Sequence, residues 1–166
     1  MTQKPTSAAE ARTAAAHTPV RVVVVTMDTH LASATGRGWW VGRPVELPGS
    51  RPLRFDGTRS IGSALIHWPT EQVVKCLVHY HPDDAFELRL EQEQKVLELW
   101  EATRESGNEL LLEIICPAAM TPAGTQDAAV LRSIKRFYNI GVKPEWWKIA
   151  PMQVQGWAEL EALVMD

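Results

Sequence analysis

Apolar residues along this chain gather in short runs, and the runs are separated by turn-forming residues or by amphipathic stretches. The clearest run is V-V-K-C-L-V-H-Y-H-P-D-D, Val73–Asp84. Its length and β-branched content predict a strand. Alternation puts Val73, Lys75, Leu77 and His79 on one face and Val74, Cys76, Val78 and Tyr80 on the other. Both faces are largely apolar, which predicts cover on both sides, as in a parallel sheet with helices. A lysine in such a strand is costly unless it is paired, neutralised or used.

The same reading extends along the chain. Residues 1–19 are rich in Ala, Thr and Ser without an apolar period, which predicts a flexible tail. Val20–Met27 predicts a strand, and Asp28 and His30 then fit a turn or cap. Thr35–Gly38 is a Gly-containing joint, so residues 20–37 form an N-terminal strand and joint. Prolines 44, 48 and 52, with Gly42 and Gly49, forbid a helix over residues 39–55 and predict an extended, ordered loop. Ser63–Trp68 leads through Pro69 into the Val73 strand. Asp84 and Glu87 have capping-box spacing, and a helix runs on to about Ser106 with Phe86, Leu90, Leu97 and Trp100 as its apolar stripe. Gly107 supplies the stop. Leu110–Cys116 predicts a second buried strand. Asp127 is placed to cap a helix that buries Val130, Leu131, Ile134 and Tyr138 and ends at Asn139 and Gly141. Trp146–Ala150 predicts a third strand, and Gly156–Asp166 a last amphipathic helix. Strand, helix, strand, helix, strand is the βαβ pattern of a parallel sheet.

Composition narrows the class. With 166 residues, 45% hydrophobic and 22% charged, the chain can bury one ordinary core. A net charge of -3 leaves no basic footprint for nucleic acid. No apolar stretch approaches the ~20 residues that span a bilayer, and Val22–Val25 is too short for a signal-peptide core. Cys76 and Cys116 fall inside apolar runs, which predicts buried free thiols, a reducing compartment and hence the cytoplasm. Among the seven tryptophans, Trp39-Trp40 and Trp146-Trp147 come as adjacent pairs.

The candidate chemistry lies in the strands. Lys75, Glu113 and Lys148 each sit inside an apolar strand, 38 and 35 residues apart, and each interval matches one strand-plus-helix unit. In a parallel barrel, inward positions on successive strands converge on one cavity. Two readings fit the three charges: a functional pocket, or a Lys–Glu–Lys network that seals the sheet. The functional reading suits Schiff-base chemistry. The nucleophile must be a neutral amine, whereas a free lysine titrates near ~10.4. Burial and a second cation lower that value, and a carboxylate can shuttle protons through the carbinolamine and enamine stages. A metal reading competes, in which His79 and His81 flank one side of an extended segment and Glu113 is a third ligand. Arg43, Arg51 and Arg54 can bind anions bidentately, or can make ordinary salt bridges on a solvated loop.

Two resemblances add to this reading. R-V-V-V-V-T-M-D-T-H-L-A-S-A, Arg21 to Ala34, resembles the start of the magnesium chelatase large subunit, and no metal or porphyrin site carries over with it. From residue 38 to 166 the chain resembles the aldolase domain of the inositol-catabolism family. The motifs that carry this likeness are G-R-P-V-E-L-P-G-S-R-P-L-R-F, V-V-K-C-L-V-H-Y-H-P-D-D, E-L-L-L-E-I-I and P-E-W-W-K-I-A-P. Members are (β/α)8 barrels, often fused to a 5-dehydro-2-deoxygluconokinase that has no counterpart here. The resemblance implies retro-aldol cleavage of 6-phospho-5-dehydro-2-deoxy-D-gluconate, a small phosphorylated keto-sugar acid, without a cofactor. A more distant likeness to the class I tagatose-bisphosphate aldolases implies Lys148 as the imine-forming nucleophile. It also implies Glu113 as proton shuttle and Lys75 as a supporting cation. Arg43, Arg51, Arg54 and His81 are the candidate substrate contacts, on their residue chemistry and not on the likeness.

The chain departs from the inositol-family pattern at Ala150, where a glutamate is usual, and at His79, where an aromatic is usual. It also ends after the third matching strand, below the ~200 residues of a minimal barrel. The expectation is therefore an α/β fold of parallel βαβ units forming an incomplete (β/α)8 barrel. Exposed strand edges in such a fold predict self-association, a partner, or closure by Val20–Met27. The alternatives to a lyase are a non-catalytic product that oligomerises and a metal-dependent hydrolase or lyase.

Overall fold

A computed structural model of the protein describes residues 22–24 and 40–165. The expected tail over residues 1–19, the joint at Thr35–Gly38 and most of the Val20–Met27 strand lie outside the described residues.

Five strands form one parallel sheet: β1 (Val22–Val24), β2 (Trp40–Pro44), β3 (Gln72–His79), β4 (Leu110–Ile115) and β5 (Trp146–Lys148). Their spatial order is β1-β2-β3-β4-β5, the order of the sequence. Each connection therefore advances by one strand in the same direction. The described strands make an open sheet with β1 and β5 at its edges. The helices are α1 (Ile61–Leu65), α2 (Phe86–Ser106), α3 (Gln126–Asn139) and α4 (Val154–Met165).

Parallel register puts paired residues on one side of the sheet. Val74 pairs with Leu110 and Cys76 with Leu112, and Val78 pairs with Ile114. All six are 0–2% exposed. Against them lie Val96 and Leu99 of α2 and Val130, Ile134 and Phe137 of α3. Burial of each such aliphatic side chain contributes about 1.5–3 kcal/mol, so this side is the core. Cys76 and Cys116 are buried free thiols, as expected. Burial pushes both thiols above their usual range, which keeps them protonated and unreactive.

The opposite face carries Lys75, Leu77 and His79 of β3 with Leu111, Glu113 and Ile115 of β4. Cover on both sides was the expectation, but this face is only partly covered. Leu77, His79 and Leu111 are half-buried, and Ile115 is exposed. Trp40 and Trp146 belong to the same face, and their rings meet edge to face with centroids 5.5 Å apart. Two strands lie between them, a separation of about 14 Å at three strand spacings. Indoles that lean together across that span describe an inward-curving face.

Several local expectations are corrected. Residues 40–44 form β2, so the extended stretch begins as a paired strand and not as a loop. Residues 61–65 form a short helix, with Ser60 accepting from the Ser63 N–H. Asp84 does not cap α2, because Ala85 occupies that position without a side-chain bond. Thr125, not Asp127, stands at the start of α3. The expected α2 stripe is also displaced. Leu97 and Trp100 pack half-buried against the core, but Phe86 and Leu90 are exposed, and the helix buries Gln92, Glu93, Val96, Leu99, Ala102 and Thr103. Two buried polar groups explain the shift: Gln92 donates to the His79 carbonyl at 3.0 Å, and Glu93 accepts from the Tyr80 hydroxyl at 2.7 Å. Gly107 ends α2 in the left-handed conformation (φ 76°), which glycine adopts without a Cβ clash.

Candidate active site

Register and period two decide which side chains meet. Leu77 pairs with Glu113, and Glu113 with Lys148, so Lys75, Glu113 and Lys148 project from one face. Glu113 lies between the two lysines. Its Oε1 is 2.7 Å from Lys148 Nζ and its Oε2 is 3.1 Å from Lys75 Nζ. Lys75 also donates to Glu46, which follows β2 in the chain. The result is an alternating row, Glu46–Lys75–Glu113–Lys148, with members from four successive strand units. Lys148 is the last residue of β5 and Glu46 lies just past β2, so the row reaches the carboxyl ends of the strands. That end is where open and closed parallel α/β sheets carry their sites.

Burial grades along the row. The Lys75, Glu46 and Glu113 side chains are each 10% exposed, whereas Lys148 is 55% exposed. Burial would lower the Lys75 pKa, but hydrogen bonds and charge from Glu46 and Glu113 outweigh it and hold the ammonium above the usual lysine value. The expectation that burial depresses a strand lysine is therefore reversed at Lys75. Burial likewise works against the Glu113 carboxylate, and Lys148 and Lys75 together overcome it, so its pKa lies below the usual carboxylate range. Lys75 rests as a cation and Glu113 as an anion, and Lys148 is the member open to solvent. Chemically, such a row can present one amine beside a carboxylate that takes up and returns its proton.

Glu46 escaped the sequence reading. It sits in a Pro/Gly-rich stretch with no periodicity, and only its bridge to Phe55 and its reach to Lys75 reveal it. Its second oxygen, Oε2, is buried without a hydrogen-bond partner among the described residues.

The three arginines proposed as anion ligands do not gather. Arg43 lies with its guanidinium carbon 3.9 Å from the Trp68 ring centroid, and burial lowers its pKa. Arg51 pairs with Asp84, and Arg54 is exposed. His81 is buried within the His-Pro-Asp-Asp turn. Its N–H donates to Asp84 Oδ2 at 3.0 Å, and its Nδ1 accepts from the Asp83 N–H at 3.1 Å. Asp84 thus organises this turn and anchors Arg51, in place of the helix cap expected of it. Among the described residues no three His, Cys, Asp or Glu side chains come together to hold a metal ion. His79, His81 and Glu113 therefore do not form the metal set that the alternative reading requires, because Glu113 is engaged by both lysines and His81 by its own turn.

Among the described residues no helix is long and apolar enough to cross a membrane. No curated protein matches the chain. A family model described as "Uncharacterized protein conserved in bacteria" (DUF2090) matches residues 6–166. The match spans nearly the whole sequence, from ahead of β1 to the end of α4, and the protein belongs to this DUF2090 family.

Proposed function

We propose that the protein is a carbon–carbon lyase of the Schiff-base type. Lys148 is the nucleophile, Glu113 the proton shuttle and Lys75 the fixed cation that holds Glu113 in place. The observation that carries the reading is the 2.7 Å contact between the exposed Lys148 amine and a carboxylate whose other oxygen is occupied. Glu113 accepts the lysine proton, and the neutral amine attacks a substrate ketone. The carboxylic acid then protonates the departing hydroxyl, water leaves and an iminium forms. Electrons of the bond between the carbon next to the ketone and the hydroxyl-bearing carbon beyond it flow into the iminium. That hydroxyl loses its proton and becomes an aldehyde, and the remaining enamine is protonated and hydrolysed to free the lysine.

With 6-phospho-5-dehydro-2-deoxy-D-gluconate as substrate, the products are dihydroxyacetone phosphate and malonate semialdehyde. The sequential parallel strand order supports a segment of a singly wound β/α barrel, since a doubly wound sheet reverses its order partway. The buried free thiols fit a cytoplasmic setting.

The test is borohydride trapping with dihydroxyacetone phosphate, read by peptide mass. A reduced adduct at Lys148 that is absent from Lys148→Ala is expected. Absence of any adduct, or equal labelling of surface lysines, would overturn the reading. A second reading, a non-catalytic assembly module, is favoured by the exposed Ile115 on the partly covered sheet face. Concentration-dependent sedimentation without an adduct would support it.

A further inference from the structure

A second charged region lies on the other side of the sheet, outside the row that contains Lys148. A cavity of about 270 Å³ opens between α2 and α3 and is lined by Pro82, Arg89, Arg132, Lys135, Arg136 and Asn139. Four of these six side chains are cations, and none is an acid.

Two carboxylates next to the lining residues, buried Glu93 and exposed Asp83, hold two of its guanidinium groups. Glu93 takes Arg136 in a two-point grip, with Nε at 2.9 Å and Nη2 at 2.8 Å. Asp83 takes Arg132 in the same manner, with Nη1 at 2.9 Å and Nη2 also bonded. Arg89 is held by the Pro82 carbonyl, to which Nη1 donates at 3.0 Å, and its Nε lies 3.6 Å from Glu93. Lys135 is exposed and pairs with no carboxylate among the described residues. Two anions against four cations leave a local excess of positive charge. A guanidinium has five N–H donors. The carboxylate grips leave Arg132 Nε and Arg136 Nη1 without an acid partner. Side chains already locked in place lose little freedom when a ligand arrives.

We propose that this groove binds a small phosphate-bearing anion. A phosphate offers several acceptor oxygens and close to two negative charges, which match two planar forks and a flexible ammonium better than a single carboxylate does. The overall charge of -3, with fewer basic than acidic residues in the chain, argues against a long polyanion. The site goes beyond the lyase reading and lies on the helix-covered side of the sheet, so it stands or falls independently of Lys148.

The experiment is calorimetric titration of the full chain at fixed ionic strength with inorganic phosphate, glycerol phosphate and glycerol. Both phosphates are expected to bind and glycerol is not. Lys135→Gln and Arg132→Gln should each weaken binding roughly tenfold, and Lys148→Ala should leave it unchanged. Equal binding of the two phosphates identifies free phosphate as sufficient, and tighter binding of glycerol phosphate identifies a phosphomonoester. Either result supports the site. Lys135 is solvent-exposed and without an ion pair among the described residues, so Lys135→Gln tests the groove without disturbing the fold, which circular dichroism checks. No binding by either phosphate, unchanged affinity in Lys135→Gln, or loss in Lys148→Ala would overturn the proposal.

Discussion

Lys148 Nζ lies 2.7 Å from Glu113 Oε1, although the two residues belong to separate strands and differ sharply in exposure. The carboxylate cannot turn away, because its other oxygen is 3.1 Å from Lys75. A solvent-reaching amine is thus set against a buried acid–base partner held from its other side. That asymmetry yields a first prediction. Glu113→Gln keeps the shape but removes proton transfer, so adduct formation at Lys148 should slow by about 10²–10⁴-fold. Time-resolved borohydride trapping would measure it, and an unchanged rate would remove Glu113 from the mechanism.

Stability should be flat across neutral pH and fall at both extremes. The folded-state pKa of Glu113 is depressed, so its contribution is complete above the unfolded value of ~4.3 and is lost as pH drops through the folded one. The folded-state pKa of Lys75 is raised, so its contribution is complete below ~10.4 and is lost as pH climbs through the raised value. Melting temperature against pH should therefore lose part of its acid limb in Glu113→Gln and part of its alkaline limb in Lys75→Met. Limbs that match the wild type in both variants would contradict this.

Glu93 is another buried acid whose loss should be felt. It accepts from Tyr80 at 2.7 Å and from Arg136 at 2.8–2.9 Å while 4% exposed. Glu93→Ala strands the buried Tyr80 hydroxyl and should cost about 2–3 kcal/mol, whereas Tyr80→Phe should cost about 1 kcal/mol. Arg136 is partly exposed and can resolvate, so it adds little. Urea denaturation would rank the two variants, and the reverse order would refute the account.

Asp127 and Gly156 should behave as a coupled pair. Asp127 Oδ2 accepts from the Gln153 N–H at 2.8 Å, and a Cβ on Gly156 would sit 2.8 Å from that same oxygen. Gly156→Ala gains about 1 kcal/mol of helix propensity but displaces the carboxylate, and loss of such an end contact costs ~1 kcal/mol, with the crowding added. The substitution should be destabilising alone and less so, or stabilising, on an Asp127→Ala background. Additive melting shifts in the double variant would show that the two sites are independent.

Local periodicity made much of this fold legible. Short apolar runs from Val73 to Tyr80 and from Leu110 to Cys116 identified β3 and β4, and alternation sorted the faces of β3. A charge inside each apolar run then marked Lys75, Glu113 and Lys148 as a group, because a charged side chain in such a run requires a partner. Gly107 announced the end of α2 by its own backbone freedom. These are properties of neighbouring residues, and a chain carries them wherever it goes.

Tertiary structure decided the matters that depend on partners distant in sequence. Glu46 has no pattern around it and acquires its role only when β2 lies beside β3. Asp84 has the spacing of a helix cap, yet Arg51, 33 residues earlier, draws its carboxylate instead. Asp127 likewise bonds the backbone before α4, 26 residues on, in place of its own helix. At its start the buried face of α2 follows Gln92 and Glu93 and not Phe86 and Leu90, because the end of β3 and α3 offer those polar side chains hydrogen bonds that solvent-facing positions lack. Sequence by itself determined β3, β4 and β5 and marked Lys75, Glu113 and Lys148 as charges that need company. Packing chose the company, since a buried charge or amide is satisfied by whichever partner the folded chain brings within reach.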